Sequence, residues 1–420
     1  MIETSGEKRA TKSEADVPSH QQSVRNERPF NLSILDTLLH SFKMLRTVLL
    51  LLAFAEGVNC ATMEIFNFKN YSDAIHKQRE LRGKRGTQDL VTYWTTYYLG
   101  YVSIGTPGQG FNLLMDTGSS SIWVASGLCT TSGCLGEGPI RNKNRFDWWR
   151  SSTFKLANEN FKLYYGTGEV SGFVGMDNVN MGGVMVTGQK FGIANNINHW
   201  GITPVAGIFG MGFPKSYAIP APMQNFVRGF PSPYWIMWMN PAVINPSLGQ
   251  SAGLISFGQQ DNAHCRPTWQ YVPVSSASDW QVALSSFQIG GYFVATTGQH
   301  ALVDSGSSWM GVPQLVLNAV VKVTGAYWNG NTYLYMLPCS ARFSKPELKF
   351  TIHGIIYTVP STQYIVNLNH GNGQCVLGFM STGSGRFNHA YILGMPWFRS
   401  FCNLFNYRER TIGFSSSIGA

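Results

Sequence analysis

From Tyr97 onward the chain reads as short apolar runs separated by frequent turn residues, and one stretch organises the rest. Leu113, Leu114 and Met115 run without interruption into Asp116, Gly118 and three serines then offer a turn, and Ile122, Trp123 and Val124 resume the apolar run. The pattern predicts strand, tight loop, strand, with a carboxylate fixed at a strand end among hydroxyls. A second copy begins at Ala301, where Leu302 and Val303 deliver Asp304 into Ser305-Gly306-Ser307-Ser308, followed by Trp309 and Met310. Between them, residues 161–175 form two β-like runs around Gly166-Thr167-Gly168, which predicts a hairpin with a mobile tip. Ala221 to Gly229 suits a short helix between proline-rich flanks. The chain is expected to cross from one half to the other between Leu254–Gly258 and Val272–Val274, without a Gly- or Ser-rich linker.

Composition supports two sizeable cores. The chain has 420 residues, 44% of them apolar, with 45 glycines, 13% aromatic and only 13% charged residues. That balance favours an all-β globular protein over a disordered one. The formal charge of +9 raises the question of nucleic acid. Its distribution answers no. Before residue 86 there are 13 basic and 10 acidic residues, so the rest carries 18 and 12, spread without a basic run.

The first 43 residues are polar and mixed in charge, apart from an apolar patch over 34–39. Met44 opens a second beginning: Arg46, an apolar core from Val48 to Ala55, then Val58 and Cys60 at a cleavage point, which together read as a signal peptide over 44–60. The apolar core is too short to span a bilayer, so no stable membrane anchor is expected. Translation is expected to start at Met44, with 1–43 a disordered segment or an extension of the gene model. Residues 61–85 read as a short propeptide ending Arg82-Gly83-Lys84-Arg85, a dibasic processing signal, and Asn70-Tyr71-Ser72 is a glycosylation sequon inside it. In a secreted chain, Cys129 and Cys134 read as a disulfide closing a small loop.

One Asp-Thr-Gly triplet is ordinary turn chemistry. Two similar loops, with Asp304 lying 188 residues after Asp116, imply a duplicated unit with a site between the copies. In these motifs, and from about Tyr97 to Ser417, the sequence resembles the pepsin-like aspartic proteases (family A1), including cathepsin D-like and nematode digestive members. The resemblance implies a bilobal all-β pepsin-like fold, two pseudo-symmetric lobes with the active-site cleft between them. The N-terminal lobe with its flap is expected over 86–272 and the C-terminal lobe over 273–420.

The resemblance also implies roles. Asp116 and Asp304 would share one proton and activate a water between them. Thr117 and Ser305 would bond across the lobes, Ser305 replacing a commoner threonine and keeping its donor. Ser119 and Ser307 would hold the outer carboxylate oxygens. Tyr165, Gly166 and Thr167 match the flap, Trp123 the tryptophan that meets its tyrosine, and Gly118 and Gly306 the loop glycines near substrate. Ala206–Gly212 and Tyr391–Gly394 match the segments beneath the two catalytic loops. Leu114 and Leu302 would contribute to the central pockets. Cys339 and Cys375 match the second-lobe disulfide, and Cys265 and Cys402 resemble an extra bridge of nematode members, whose formation the residues alone leave open.

There are departures as well. Ala206, Met395 and Asn406 stand where the family commonly has aspartate, which implies better survival near neutrality. Asp279 precedes Trp280 at a cleft-side position that is often aromatic, and is expected to alter which substrate residues fit.

The expected protein is therefore an aspartic endopeptidase made as a zymogen, secreted or lysosomal, a monomer, cutting proteins and peptides between apolar residues and stopped by pepstatin-like inhibitors. No cofactor or metal is expected, because the 9 histidines are scattered and no His-x-x-x-His occurs. The alternative is a catalytically silent peptide-binding protein on the same fold. The intact Asp116, Gly118, Asp304 and Gly306 argue against it.

Overall fold

The computed structural model describes residues 86–420 apart from 94–95, 139, 216–217, 229, 231, 243–249, 369–371 and 384–388. The expected signal peptide, propeptide and sequon, with Cys60 and residues 1–43, lie outside the described residues. The protein is a bilobal all-β fold. Among the described residues the strands form a 13-stranded, a 7-stranded and a 4-stranded sheet.

The same local unit occurs twice. Strand Gln109–Asp116 is buried on both faces from Phe111 onward, as a central strand is. It pairs in parallel with Gly207–Gly210, placing Asp116 opposite Gly210, and Gly207–Gly210 pairs on its other side with Ile122–Ala125. In the second half Tyr292–Val303 pairs in parallel with Tyr391–Leu393, which in turn meets Met310–Val312. In both copies the two strands flanking the Asp loop are thus separated by a third strand that arrives from far along the chain.

That threading requires glycine at two positions. A Cβ on Gly210 would lie 2.4 Å from the Ser121 nitrogen, and one on Gly394 would lie 2.1 Å from the Trp309 oxygen. Both approaches are too close for any side chain.

Elsewhere periodicity sets burial. Along Gln281–Ile289 the side chains of Val282 and Leu284 face the core, and Phe287 and Ile289 continue the same face after a bulge between Leu284 and Ser286. The bulge shifts the alternation by one residue. The short helix near residue 225 spans Pro222–Arg228.

The crossing between halves is part of a sheet. Six neighbouring strands of the largest sheet run in the order Gln270–Pro273, Thr411–Ser416, Phe401–Asn406, Tyr234–Met239, Gln250–Phe257 and Thr87–Tyr93. Both ends of the expected crossing therefore belong to one sheet, and the Cys265–Cys402 disulfide fastens the connecting segment to the Phe401–Asn406 strand. Disulfides also join Cys129 to Cys134 and Cys339 to Cys375.

Beneath the loops lies an aromatic cluster. Trp280 packs against Phe213, Trp235, Phe405 and Tyr407, with ring centroids 4.2 to 5.4 Å away. Its indole donates to the Met211 carbonyl at 3.0 Å, and the Tyr407 hydroxyl donates to the Gly212 carbonyl at 2.5 Å. Met211 and Gly212 in turn donate their N–H groups to the carbonyls of Asp116 and Ser119. The first Asp loop thus stands on a platform clamped by rings from residues 280 and 407. Ala206 and Met395 are buried, and Asn406 accepts a bond from the Glu409 N–H, so none of these positions adds a carboxylate.

Candidate active site

Each Asp loop treats its carboxylate in the same way. The Gly118 N–H donates to Asp116 Oδ1 at 2.9 Å and the Ser119 hydroxyl donates to Asp116 Oδ2. The Gly306 N–H donates to Asp304 Oδ1 at 2.8 Å and the Ser307 hydroxyl to Asp304 Oδ2 at 2.6 Å. The inner oxygens meet backbone and the outer ones meet hydroxyls.

The loops face each other closely. A Cβ on Gly118 would lie 2.6 Å from Asp304 Oδ1, and one on Gly306 would lie 2.3 Å from Asp116 Oδ1. Glycine at both positions is what lets each loop approach the other's carboxylate.

The approach is fixed by four bonds. Ser305 Oγ accepts from the Thr117 N–H at 3.0 Å and donates to the Met115 carbonyl at 2.6 Å. Thr117 Oγ1 accepts from the Ser305 N–H at 2.9 Å and donates to the Val303 carbonyl at 2.8 Å. Each hydroxyl therefore both gives and takes across the junction, with the same geometry in the two directions. Serine in place of threonine keeps all of it.

Electrostatics follow from this closeness. Burial raises the Asp116 carboxyl well above its ordinary value, and the Asp304 charge raises it further, against the lowering effect of the Ser119 and Gly118 bonds. The closeness of the Asp304 carboxylate therefore favours the protonated form of Asp116. Two carboxyls so placed can offer one proton acceptor and one proton donor to a group held between them.

Over the pair hangs a hairpin of Lys155–Tyr165 and Gly168–Met181, turning at Gly166 and Thr167. The Trp123 indole donates to the Tyr165 hydroxyl at 2.9 Å, and burial first and then the Asp116 charge keep that phenol neutral. Asp116, Asp304, Tyr165, Gly166 and Thr167 border one cleft of about 960 Å³. Leu114, Gly118, Leu302, Gly306 and Ser307 line it as well.

Sequence reasoning missed Trp200. Its ring stacks on Trp123 at 5.5 Å and meets Tyr165 at 5.3 Å, and its indole donates to Thr167 Oγ1 at 2.7 Å. The flap tip is thus tied to the cleft wall. Trp200 and His199 both have left-handed backbone, φ 45° and 70°, where such side chains are uncommon. The buried Lys143, also missed, donates to the carbonyls of Trp200 at 2.5 Å and Gly133 at 3.1 Å, and burial lowers its ammonium to about 8. No periodicity marks either residue. The only sequence signal is a large aromatic ring in the Asn-His-Trp-Gly turn after the Val184–Ile197 strand.

A cleft between two β lobes, with paired carboxylates at its floor and a hairpin above it, defines an aspartic protease. The profile of the eukaryotic aspartyl protease family matches residues 97–417, and the chain belongs to that family. Aspartic protease 1 of Caenorhabditis elegans is 35% identical over 350 residues, 82% of this chain and 88% of the relative. Aspartic protease 17 of the same organism is 32% identical, with 83% and 90% covered. Pepsin A of Bos taurus is 32% identical, with 78% and 86% covered. The protein is an aspartic-type endopeptidase, a hydrolase acting on proteins or peptides.

Proposed function

We propose that Asp116 and Asp304 cleave peptide bonds by general acid–base activation of one water, with a preference for apolar residues around the scissile bond. The ionised member of the pair takes a proton from the water as its oxygen attacks the peptide carbonyl carbon. The protonated member donates to the carbonyl oxygen, giving a neutral tetrahedral diol. Collapse then reverses the traffic: one diol proton returns to a carboxylate, the leaving nitrogen is protonated, and the C–N bond breaks.

Thr117 and Ser305 hold the two loops at working distance, and Ser119 and Ser307 orient the outer oxygens. Tyr165, Gly166 and Thr167 fold over an extended substrate and exclude water, with Trp123 steadying Tyr165. Gly118 and Gly306 leave room for the peptide backbone. The reciprocal bonding of Thr117 and Ser305 is the observation that carries this reading, since it ties the loops on either side of the cleft together and so fixes the carboxylates in register. Apolar preference is supported by Leu114, Val205, Ile208, Leu302 and Ile392 along the cleft.

Residues 86–272 and 273–420 are read as the two lobes, each contributing one Asp loop. Synthesis with a leader over 44–60, removal of 61–85, and a monomer in a secretory or lysosomal compartment complete the reading. Three disulfides favour an oxidising route. No helix among the described residues is long and apolar enough to cross a membrane.

Hydrolysis of denatured globin from about pH 3 to pH 7 tests the mechanism, because only a pair holding one proton works as acid and base together. Cleavage fastest in acid, stopped by pepstatin and absent in Asp116→Asn, is the expected result. A folded, processed sample that binds peptide without cutting it would instead make the protein a silent peptide binder.

A further inference from the structure

On the Asp304 side of the cleft the wall carries Lys215 and His389, while Glu137 and His199 are ionisable residues elsewhere in the lining. Lys215 and His389 line the cleft together with Asp304, Leu302 and Ile392, whereas Asp279 does not reach its surface. The Lys215 ammonium pairs with Asp279 Oδ1, and His389 Nε2 lies 3.8 Å from the same oxygen. Asp279 Oδ2 accepts from the hydroxyls of Ser276 at 3.2 Å and Ser278 at 2.7 Å. The carboxylate is therefore saturated and set back, with 13% of its side chain exposed against 38% for Lys215.

An ammonium has three N–H donors and no acceptor. One donor of Lys215 goes to Asp279, and the group borders open cleft. His389 is oriented from its other side, where Nδ1 lies 2.9 Å from the Gln281 amide nitrogen. That amide nitrogen can only donate, so Nδ1 accepts, and in neutral imidazole the proton sits on Nε2. The wall thus offers donors to a substrate, and its own acceptor is consumed behind them.

We propose that Lys215 and His389, held from behind by Asp279, form a subsite beside Asp304 that selects a substrate side chain ending in a carboxylate. The proposal rests on the protease reading and adds a charge preference to a cleft otherwise suited to apolar residues. A substrate carboxylate takes the free donors of Lys215 without displacing Asp279. A substrate lysine or arginine finds no free acceptor there and meets the ammonium. An apolar side chain leaves the donors without a protein partner at that point.

The test uses the processed enzyme and a set of peptides with one apolar scissile pair, in which each flanking position in turn carries Glu, Leu or Lys. At about pH 5 the glutamate is ionised. The expected result is one position at which Glu exceeds Lys by about three- to tenfold in kcat/KM, carried by KM and reduced by added salt, as befits a partly exposed ion pair. In Lys215→Met the Glu-to-Lys ratio should fall to one or below, since the charge that discriminates is gone and Asp279 Oδ1 loses its partner. The ratio is measured within one preparation, so a smaller folded fraction cancels. Equal rates for Glu and Lys at every position would overturn the subsite and leave the protease reading intact, as would a ratio undiminished in Lys215→Met. If no peptide in the set were cut, the protease reading would fail. Binding of the labelled Glu and Lys peptides, followed by fluorescence anisotropy, would then decide the subsite alone: tighter Glu binding upholds it and equal binding overturns it.

Discussion

Replacing Ser305 by alanine removes one hydroxyl and strands two backbone groups. The Thr117 N–H loses its acceptor and the Met115 carbonyl loses its donor, at a junction where Thr117 is 1% and Ser305 2% exposed, so water cannot take over without opening the loops. Each buried group left unpaired costs about 1–3 kcal/mol, which puts the substitution at about 2–6 kcal/mol. At about 2 °C per kcal/mol for a chain of this size, the thermal midpoint should fall by about 4–12 °C. Met115 and Thr117 flank Asp116, so a shift in either moves the carboxylate, and kcat should fall about tenfold or more. The assay is unfolding followed by tryptophan fluorescence at one scan rate, beside steady-state cleavage of a synthetic peptide. Ser305→Thr keeps the hydroxyl and should retain most of both properties. A wild-type midpoint and kcat in Ser305→Ala would refute the view that these bonds hold the pair in register.

Further outcomes follow from the same geometry. A carboxyl whose proton affinity is raised by folding contributes stability that is lost as pH rises from the ordinary carboxylate range through the raised value. Wild-type stability should therefore decline over that window because of Asp116. Asp304→Asn removes the second of its two main causes and should flatten the decline, as read from thermal midpoints across pH. Trp200→Phe keeps the stacking on Trp123 but loses the bond to Thr167, and KM should rise about two- to fivefold for a bond of about 0.5–1 kcal/mol. An unchanged KM would show that the tie does not hold the flap. Replacing Cys265 and Cys402 together by serine opens a link between residues 137 apart, and chain entropy puts the loss at up to about 5 kcal/mol in a chemical unfolding experiment.

Legibility in the sequence tracked the range of the interactions. The two strand–Asp–loop units were readable because apolar runs, Asp116 or Asp304, and Gly-Ser turns lie within a dozen residues of each other. The flap hairpin and the helix at Pro222–Arg228 were local for the same reason. The threading of Gly207–Gly210 and Tyr391–Leu393 between those strands came only through resemblance, since no pattern in one strand names a partner far along the chain. The six-stranded run shared by both halves was not readable: the pairing of Asn403 with Met237 depends on tertiary assembly, and the crossing expected without a Gly- or Ser-rich linker has both its ends inside one sheet. In the site, the residues supplied by motifs gather round one cleft. Trp200 and Lys143 escaped notice because a turn tryptophan and an isolated lysine carry no periodic signal, and their importance lies in what folding brings beside them. Asp279 was noticed as a departure, but its partners Lys215 and His389, 64 residues before it and near the other end of the second half, were not.

The central claim is that Asp116 and Asp304 act as one unit sharing a proton. Its most direct test is a cycle of Asp116→Asn, Asp304→Asn and the double variant, each measured for kcat/KM on one peptide with folding checked by circular dichroism. A shared-proton pair loses nearly everything with either member, so each single variant should be about as inactive as the double. Losses that simply add, or substantial cleavage by either single variant, would contradict the account.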